Sequence, residues 1–332
     1  MARVAINGLG RIGRATFKIL FDYPQLELVA ANDLIPPASL AYLLKYDSAY
    51  GRCESEVGSD EGHLIVDGRK HRLLSEKEPA RLPWGELGID IVFECSGIFT
   101  RKEQLEKHLE AGAKKVILSA PAKGEGVPTV VFGVNQPDPA DRIISCASCT
   151  TNCITPVVEI VDRRLGVSKA IMSTVHAYTA SQALVDTFDK KPRRGRAGAV
   201  SFVPTSTGAA KATGRALPQM AGKFDGVSIR GPVLVGSIAD IVMVTRRATS
   251  VEEVNALFTE EAAGERYRGI LGATTEPIVS ADIVGDPRAS VVDLEMTRVV
   301  DGDLVKVMSW YDNEWGYSVQ MVKTAALVAE GL

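Results

Sequence analysis

The sequence predicts an α/β fold, in which a doubly wound parallel sheet of the Rossmann type precedes an α+β domain with a mainly antiparallel sheet. The first half of the 332 residues alternates short apolar runs with amphipathic helical segments, as βαβ units do. A glycine-rich segment separates the first apolar run from the first helix. After about residue 148, long β-branched runs replace the alternation, which indicates a second domain.

The elements of the first half follow from apolar periodicity and from turn signals. Strands are predicted at 3–7, 26–32, 90–95 and 115–119, and helices at 11–21, 38–46 and 102–111. Asp67-Gly68 is a two-residue hairpin signal between the apolar runs 63–66 and 69–74.

The second half combines helices with longer strands. A helix is predicted at 149–165, strands at 169–178, 233–245, 290–299 and 304–311, and a last helix at 314–329. We therefore expect a Rossmann domain at 1–148, a second domain at 149–313, and a C-terminal helix at 314–332 that packs back on the first domain.

Charge and cysteine content exclude several classes of protein. The 38 Lys and Arg nearly balance the 41 Asp and Glu, so no global field favours nucleic acid or membrane, and we expect neither as a specific partner. Five cysteines, an odd number, argue against a disulfide scaffold and for a reducing compartment. No signal-peptide pattern and no run of about 18 apolar residues is present, so a cytoplasmic location is expected.

The glycine segment has the spacing of a dinucleotide site. Gly8, Gly10 and Gly13 form G-x-G-x-x-G directly after a strand and at the start of a helix. The first glycine permits the tight turn, the second lets a pyrophosphate approach the backbone, and the third permits close packing of helix and strand. Asp33 follows at the end of the second strand, where its carboxylate can accept hydrogen bonds from a ribose and repel a 2′-phosphate. NAD is therefore favoured over NADP. The alternative to a dinucleotide site is an ordinary glycine turn in which Asp33 only caps the end of the strand.

A cysteine and a histidine form the candidate reactive pair. Cys149 stands at the predicted start of a helix, where unpaired backbone N–H groups and the helix dipole are expected to lower its pKa. His176 lies in the following strand and is the only histidine in the second half of the chain. The alternative for either residue alone is a buried thiol or a core histidine.

Cys146 and Cys149 also form C-x-x-C, which in isolation is compatible with a redox dithiol or half of a zinc site. A structural zinc site needs a second ligand pair at similar spacing, and the sequence has none. We expect no metal.

Basic and hydroxyl residues in the second half supply candidate anion sites. The segment 190–196 carries five positive charges in seven residues, and a guanidinium in it can clamp a small phosphate. The hydroxyls and glycine of 205–211 form a second candidate site at a helix start, and Arg230 is a third candidate. The alternatives are a solvated loop and ordinary capping, whereas nucleic-acid binding would need a wider basic surface with interleaved aromatics.

Seven segments, in order and across essentially the whole chain, resemble the phosphorylating glyceraldehyde-3-phosphate dehydrogenase family. They are INGLGRIGR, LLKYDS, SAPAK, ASCTTNC, TVHAYT, STGAAK and SWYDNEWGYS. The resemblance implies a homotetramer whose second domain is catalytic and whose basic loop lies at a subunit interface. It also implies oxidation of glyceraldehyde 3-phosphate with NAD and inorganic phosphate to 1,3-bisphosphoglycerate, through a thiohemiacetal and a thioester.

The resemblance assigns the reacting groups and the phosphate ligands. Cys149 would be the nucleophile, and His176 would raise its reactivity. The two phosphates would be held by Thr179 and Arg230 for the substrate, and by Ser148, Thr150, Thr207 and Gly208, with Arg194 nearby, for the attacking phosphate.

The same resemblance assigns the cofactor contacts. Arg11, Ile12 and Asp33 match the contacts of the glycine loop and ribose, Lys77 and Ser119 match weaker ones, and Asn313 would orient the nicotinamide carboxamide.

The chain departs from the family pattern at three places. Cys146 replaces the usual Asn, Thr187-Phe188 replaces the Leu-Pro of many NAD-preferring members, and 231–235 differs from the common Val-Pro-Thr-Pro. The second departure suggests secondary use of NADP. The first motivates the hypothesis that Cys146 captures an oxidised Cys149 as a reversible disulfide.

Two alternative functions remain at this point. A sibling erythrose-4-phosphate dehydrogenase would share the fold, but Thr179 and Thr207-Gly208, which that branch tends to lose, are present. A non-catalytic interaction or RNA-binding protein would not need the Cys149, His176 and Asn313 that the chain retains.

Overall fold

A computed structural model describes all residues, Met1–Leu332. The chain forms two compact units. Unit 1 comprises Met1–Val130, Pro137–Ala147 and Met321–Leu332, and unit 2 comprises Val131–Gln136 and Ser148–Gln320. The expected three-part division at 148 and 313, with the last helix packed on the first domain, stays a prediction. None of the helices combines the length and apolar character needed to cross a bilayer.

Unit 1 contains short strands and three helices before its C-terminal segment. The strands are β1 (Ala2–Asn7), β2 (Leu26–Asn32), β3 (Tyr46–Asp47), β4 (Gly51–Arg52), β5 (Val57–Asp60), β6 (His63–Val66), β7 (Arg69–Leu74), β8 (Ile91–Glu94), β9 (Lys115–Leu118) and β10 (Ile143–Ser145). The helices are α1 (Arg11–Ile19), α2 (Pro37–Lys45) and α3 (Lys102–Glu110).

The main sheet of unit 1 has the order β10-β9-β8-β1-β2-β7-β6-β5. Five of its seven strand pairings are parallel, and only the β7-β6-β5 end is antiparallel. The chain direction across the sheet reverses between β1 and β8, which is the topological switch point where doubly wound sheets bind ligands. The glycine segment follows β1 at this point, so the Rossmann-type prediction is confirmed.

The predicted hairpin is also present. Asp67 and Gly68 have φ of 48° and 76°, the left-handed values that a two-residue turn between β6 and β7 requires.

Unit 2 contains the longer elements. Its strands are β11 (Val167–Ala177), β12 (Val203–Ser206), β13 (Phe224–Gly231), β14 (Ser237–Thr245), β15 (Leu271–Thr274), β16 (Ser290–Val300) and β17 (Leu304–Tyr311). The helices are α4 (Cys149–Leu165), α5 (Ala209–Ala216), α6 (Val251–Ala263) and α7 (Trp315–Ala329), the last of which continues into unit 1.

The sheet of unit 2 has the order β12-β13-β11-β14-β17-β16-β15, and four of its six pairings are antiparallel. The predicted α+β half is therefore confirmed. Buried apolar residues of α4, among them Ile154 and Val158, join the same core as Ile241 and Val307 of the sheet. The parallel pairing of β11 with β13 sets His176 beside Arg230.

One predicted strand is too long. β14 begins at Ser237 rather than at Val233, because Gly236 has a φ of +95° that ends regular extended backbone. A Cβ at Gly236 would lie 2.2 Å from the carbonyl oxygen of Ser280, so only glycine fits there.

Candidate active site

The glycine loop of unit 1 has the close contacts that its sequence spacing predicts. A Cβ added to Gly13 would lie 1.9 Å from the carbonyl oxygen of Gly8, and one added to Gly8 would lie 2.6 Å from Ser96 Cα. Gly10, which precedes α1, meets nothing within 4 Å. The loop is therefore closed toward the sheet and open at the helix N-terminus, which fits a pyrophosphate approaching the backbone.

Asp33 is fixed beside this loop. Its Oδ2 accepts a hydrogen bond from the Leu9 backbone N–H at 2.6 Å, and its Oδ1 accepts one from Ile35 at 3.0 Å. Each carboxylate oxygen retains a further lone pair that can accept from a ribose hydroxyl.

The other predicted cofactor residues of unit 1 differ in how far they are engaged. The Arg11 guanidinium pairs with Asp47, and its backbone lies in the first turn of α1. Ile12 is partly buried in the same turn. Lys77 is exposed, and Ser119 follows β9 with its backbone N–H bonded to the carbonyl oxygen of Glu94 at 3.0 Å.

In unit 2, Cys149 is the first residue of α4 and is partly buried. Ser148 is the N-cap of this helix, and its Oγ accepts the Thr151 N–H at 3.1 Å. The Ser148 hydroxyl is therefore already used to start the helix, which sets the thiol at the N-terminus as the sequence predicts.

His176 reaches the thiol from β11. Its Nε2 lies 3.3 Å from Cys149 Sγ, although 27 residues separate the two. On the other side of the ring, Nδ1 lies 2.7 Å from the Ala177 carbonyl oxygen and 2.6 Å from Arg230 Nη1. The carbonyl requires a proton on Nδ1, whereas the guanidinium requires a lone pair there, so the two contacts favour opposite tautomers.

Burial controls the charge state of this pair. Burial raises the pKa of the Cys149 thiol, although the charge of Arg230 and the hydrogen bonds from Thr150 lower it. Burial and then the Arg230 charge lower the pKa of His176 to about 3. The predicted lowering of the Cys149 pKa by its helix position is therefore wrong for the ligand-free arrangement, because desolvation outweighs the N-terminal amides.

Three of the predicted anion ligands lie close to one another. Arg194 donates from Nη2 to the hydroxyl of Ser181, and Ser181 Oγ lies 2.9 Å from Thr179 Oγ1. Burial is the largest cause that lowers the pKa of Arg230, and the positive charge of Arg194 lowers it further. Ser181 was not predicted, since nothing in the sequence relates it to an arginine 13 residues away.

The hydroxyl of Thr150 is hydrogen-bonded to a buried tyrosine, Tyr311. The Tyr311 hydroxyl lies 2.9 Å from Thr150 Oγ1 and 2.8 Å from Thr174 Oγ1, and its ring meets His176 edge-on at 5.9 Å. Tyr311 belongs to the SWYDNEWGYS segment but was not selected, although its position two residues before Asn313 was an available signal.

Thr207 and Gly208 lie at the start of α5, where Thr207 Oγ1 accepts the Ala209 N–H at 3.2 Å. No hydrogen bond joins this pair to Ser148 or Arg194. The role of Thr207 and Gly208 in holding the attacking phosphate stays a prediction.

Asn313 follows β17 and is buried. Its Oδ1 accepts from the Gly236 backbone N–H at 3.1 Å and from the Ser237 hydroxyl at 3.0 Å. The Nδ2 group makes no hydrogen bond and remains a donor for a ligand, which fits a carboxamide oxygen.

Cys146 is buried in unit 1 and forms no disulfide. Burial raises its pKa to about 12, which disfavours the thiolate that would capture an oxidised Cys149. The disulfide stays a prediction.

Comparison with known proteins gives consistent results along the chain. Residues 2–102 match the family model described as glyceraldehyde 3-phosphate dehydrogenase, NAD binding domain, and residues 148–313 match its C-terminal domain. The chain is 49% identical over 334 residues to the glyceraldehyde-3-phosphate dehydrogenase of Streptomyces coelicolor, with 99% of each chain covered. Similar proteins of the same name occur in Geobacillus stearothermophilus, at 48% identity and 98% of each chain, and in Clostridium acetobutylicum, at 47% and 99%.

Proposed function

The chain belongs to the glyceraldehyde 3-phosphate dehydrogenase family, and from that premise we propose that it is the phosphorylating enzyme. It oxidises glyceraldehyde 3-phosphate with NAD and inorganic phosphate to 1,3-bisphosphoglycerate and NADH. The observation that carries the proposal is the 3.3 Å approach of Cys149 Sγ to His176 Nε2 at the start of α4. A nucleophile within hydrogen-bond reach of a base is the arrangement that covalent catalysis requires.

NAD, when bound, supplies the acceptor for the electron pair that leaves the substrate. Gly8, Gly10, Gly13 and Asp33 would hold its pyrophosphate and ribose. The free Nδ2 of Asn313 would donate to the nicotinamide carboxamide. Arg11, Ile12, Lys77 and Ser119 would make the remaining contacts of unit 1.

The thiol is activated as it attacks. Because the ligand-free pair is neutral, the Cys149 proton passes to Nε2 of a His176 whose Nδ1–H donates to the Ala177 carbonyl. The substrate phosphate binds Arg230 and Thr179, and this pairing offsets one of the two causes that lower the His176 pKa. Substrate binding thereby favours the tautomer and the basicity that the attack needs.

Two covalent intermediates form on Cys149. Sulfur adds to the aldehyde carbon and gives a thiohemiacetal, whose oxygen the protonated Nε2 stabilises. The carbon-bound hydrogen then leaves with its electron pair, which NAD would accept, and the oxygen re-forms a carbonyl. Nε2 keeps the proton taken from Cys149, and a thioester remains. An oxygen of inorganic phosphate then adds to the carbonyl carbon of the thioester and displaces the Cys149 thiolate, which releases the product as an acyl phosphate. This phosphate would be held by Ser148, Thr150, Thr207 and Gly208, with Arg194 nearby.

NAD is the preferred coenzyme, with secondary use of NADP. The Asp33 carboxylate at the glycine loop repels a 2′-phosphate. Thr187 and Phe188, where many NAD-preferring relatives have Leu-Pro, reduce this discrimination.

The enzyme is a homotetramer, as its family resemblance implies. Unit 2 supports this with apolar side chains that a single chain leaves in water, among them Ile171 of β11, Val227 of β13, and Phe188 and Phe202 of the intervening segment. Phe188 is 89% exposed. Light scattering should give the mass of four chains, and the mass of one chain would contradict the assembly. A reducing cytoplasm suits an enzyme whose five cysteines form no disulfide.

Initial rates test the reaction directly. With glyceraldehyde 3-phosphate as the substrate, the wild-type enzyme should reduce NAD faster than NADP. Its turnover should require inorganic phosphate. Cys149→Ser should abolish both rates. Turnover of erythrose 4-phosphate at a higher kcat/KM, or a phosphate-independent rate, would contradict the proposal.

A further inference from the structure

Ser237 is a buried residue that connects two parts of the candidate site. It is the first residue of β14 and is 1% exposed. Its Oγ accepts a hydrogen bond from the Ala177 backbone N–H at 3.1 Å and donates one to Asn313 Oδ1 at 3.0 Å. The partners lie 60 residues before it and 76 residues after it in the chain.

These contacts determine which way the Asn313 amide faces. The Gly236 N–H can only donate, and it points at the same atom of Asn313 from 3.1 Å. Two donors on one side require the amide oxygen there, so the Nδ2 group must face the other way. The glycine at 236 is what permits this approach, since its φ of +95° excludes other residues.

The same hydroxyl holds the strand end that carries His176. The Ala177 carbonyl contacts His176 Nδ1 at 2.7 Å and Arg230 Nη1 at 3.1 Å, while the Ala177 N–H is bonded to Ser237. A single hydroxyl thus links the backbone beside His176 to the side-chain amide of Asn313.

We propose that Ser237 is a positioning residue, which fixes the Asn313 carboxamide so that Nδ2 is presented to the nicotinamide. The inference rests on the proposed function, because it takes the role of Asn313 from there. Without the Ser237 hydroxyl, Asn313 Oδ1 keeps one donor, and the amide can turn away from its ligand. A serine that only stabilised the fold would affect every ligand of the enzyme equally.

Ligand affinities distinguish these two roles. Calorimetric titration with NAD and with ADP-ribose, which lacks the nicotinamide, gives a ratio of dissociation constants that isolates the nicotinamide contacts. Ser237→Ala should weaken NAD binding by about three- to tenfold and leave ADP-ribose binding within about twofold. Ser237→Thr, which keeps the hydroxyl, should retain the wild-type ratio.

The control is Ser228→Ala, because Ser228 is also buried in this sheet but its Oγ has no hydrogen-bond partner. It should leave both affinities unchanged. Circular dichroism on every variant checks that the chain is folded.

A double-mutant cycle tests whether Ser237 acts through Asn313. In an Asn313→Ala background, Ser237→Ala should change the ratio no further. A ratio that Asn313→Ala leaves at the wild-type value would overturn the role of Asn313 and the inference with it. Two outcomes would overturn the inference and leave the role of Asn313 intact. The first is a ratio that Asn313→Ala alters and Ser237→Ala does not. The second is an equal loss of NAD and ADP-ribose binding in Ser237→Ala.

Discussion

Each unit contains a buried histidine in a polar cluster, and the two clusters are satisfied to different degrees. In unit 1, the fully buried Glu94 carboxylate accepts from Asn7 Nδ2 at 2.6 Å, from His108 Nε2 at 2.9 Å, and from the backbone N–H and hydroxyl of Ser96. Trp84 Nε1 donates to His108 Nδ1 at 3.0 Å, so the ring proton that His108 donates to Glu94 is on Nε2. Every polar atom of this cluster has a partner of the correct kind.

In unit 2, the cluster around His176 is incomplete. His176 Nδ1 faces a donor and an acceptor that it cannot satisfy together, and Arg230 Nε is buried without a hydrogen-bond partner. Neither Arg230 nor Arg194 has a carboxylate within ion-pair distance. Since buried polar groups are normally paired, the comparison indicates that the first cluster maintains the fold and the second is completed by a ligand.

Replacing the two histidines by alanine should separate these roles. His176→Ala should lower kcat by about 10²–10⁴ because the base is removed, with little change in the free energy of unfolding. His108→Ala should lower the free energy of unfolding by about 2–3 kcal/mol, because Trp84 and Glu94 lose a buried partner, and should leave kcat near the wild-type value. Steady-state kinetics and urea unfolding measure the two effects, and a loss of kcat of similar size in both variants would remove the distinction.

The Glu94 cluster offers a smaller effect. Glu94→Gln should lower the free energy of unfolding by about 2 kcal/mol, because either orientation of the amide sets an NH₂ group against existing donors. Those donors are Asn7 and His108 on one oxygen and Ser96 on the other.

A compensating change tests this explanation. Asn7→Asp in the Glu94→Gln background supplies a new acceptor and keeps the contact to Asn32, so part of the loss should be recovered. If the two changes lowered the free energy of unfolding additively, Glu94 would not stabilise the fold through this cluster.

Local signals explain which of these features could be predicted from the sequence. The bounds of α4 were predicted because Ser148 caps its start and Gly166, with a φ of 71°, ends it. The bounds of β14 were not, because the left-handed φ of Gly236 depends on its close approach to Ser280. Sequence patterns record local geometry and do not record contacts set by strand packing.

The candidate site divides in the same way. Cys149 and His176 could be chosen from residue type and position, since few residues of the second half offer that chemistry. Ser181, Ser237 and Tyr311 were missed, because their hydroxyls acquire a role only from partners far along the chain. The pKa of Cys149 was expected in the wrong direction, because burial cannot be seen in the sequence.

The smallest expected effect concerns the charge of Arg230. That charge lowers the pKa of Cys149, so Arg230→Gln should move the pH midpoint for alkylation by iodoacetamide upward. His176 stays neutral in this variant, because burial is the larger cause of its lowered pKa. Arg196→Gln is the matched control, because Arg196 is exposed and paired with Asp186 in the same loop. A downward shift in Arg230→Gln would mean that a thiolate–imidazolium pair governs reactivity.

The covalent state of Cys149 during turnover tests the central claim most directly. Enzyme mixed with glyceraldehyde 3-phosphate and NAD without phosphate should be acylated, and peptide mass spectrometry after an acid quench should locate the acyl group on Cys149. Addition of inorganic phosphate before the quench should remove it. An acyl group on Cys146 or Cys153, or full turnover with none on any cysteine, would contradict the account.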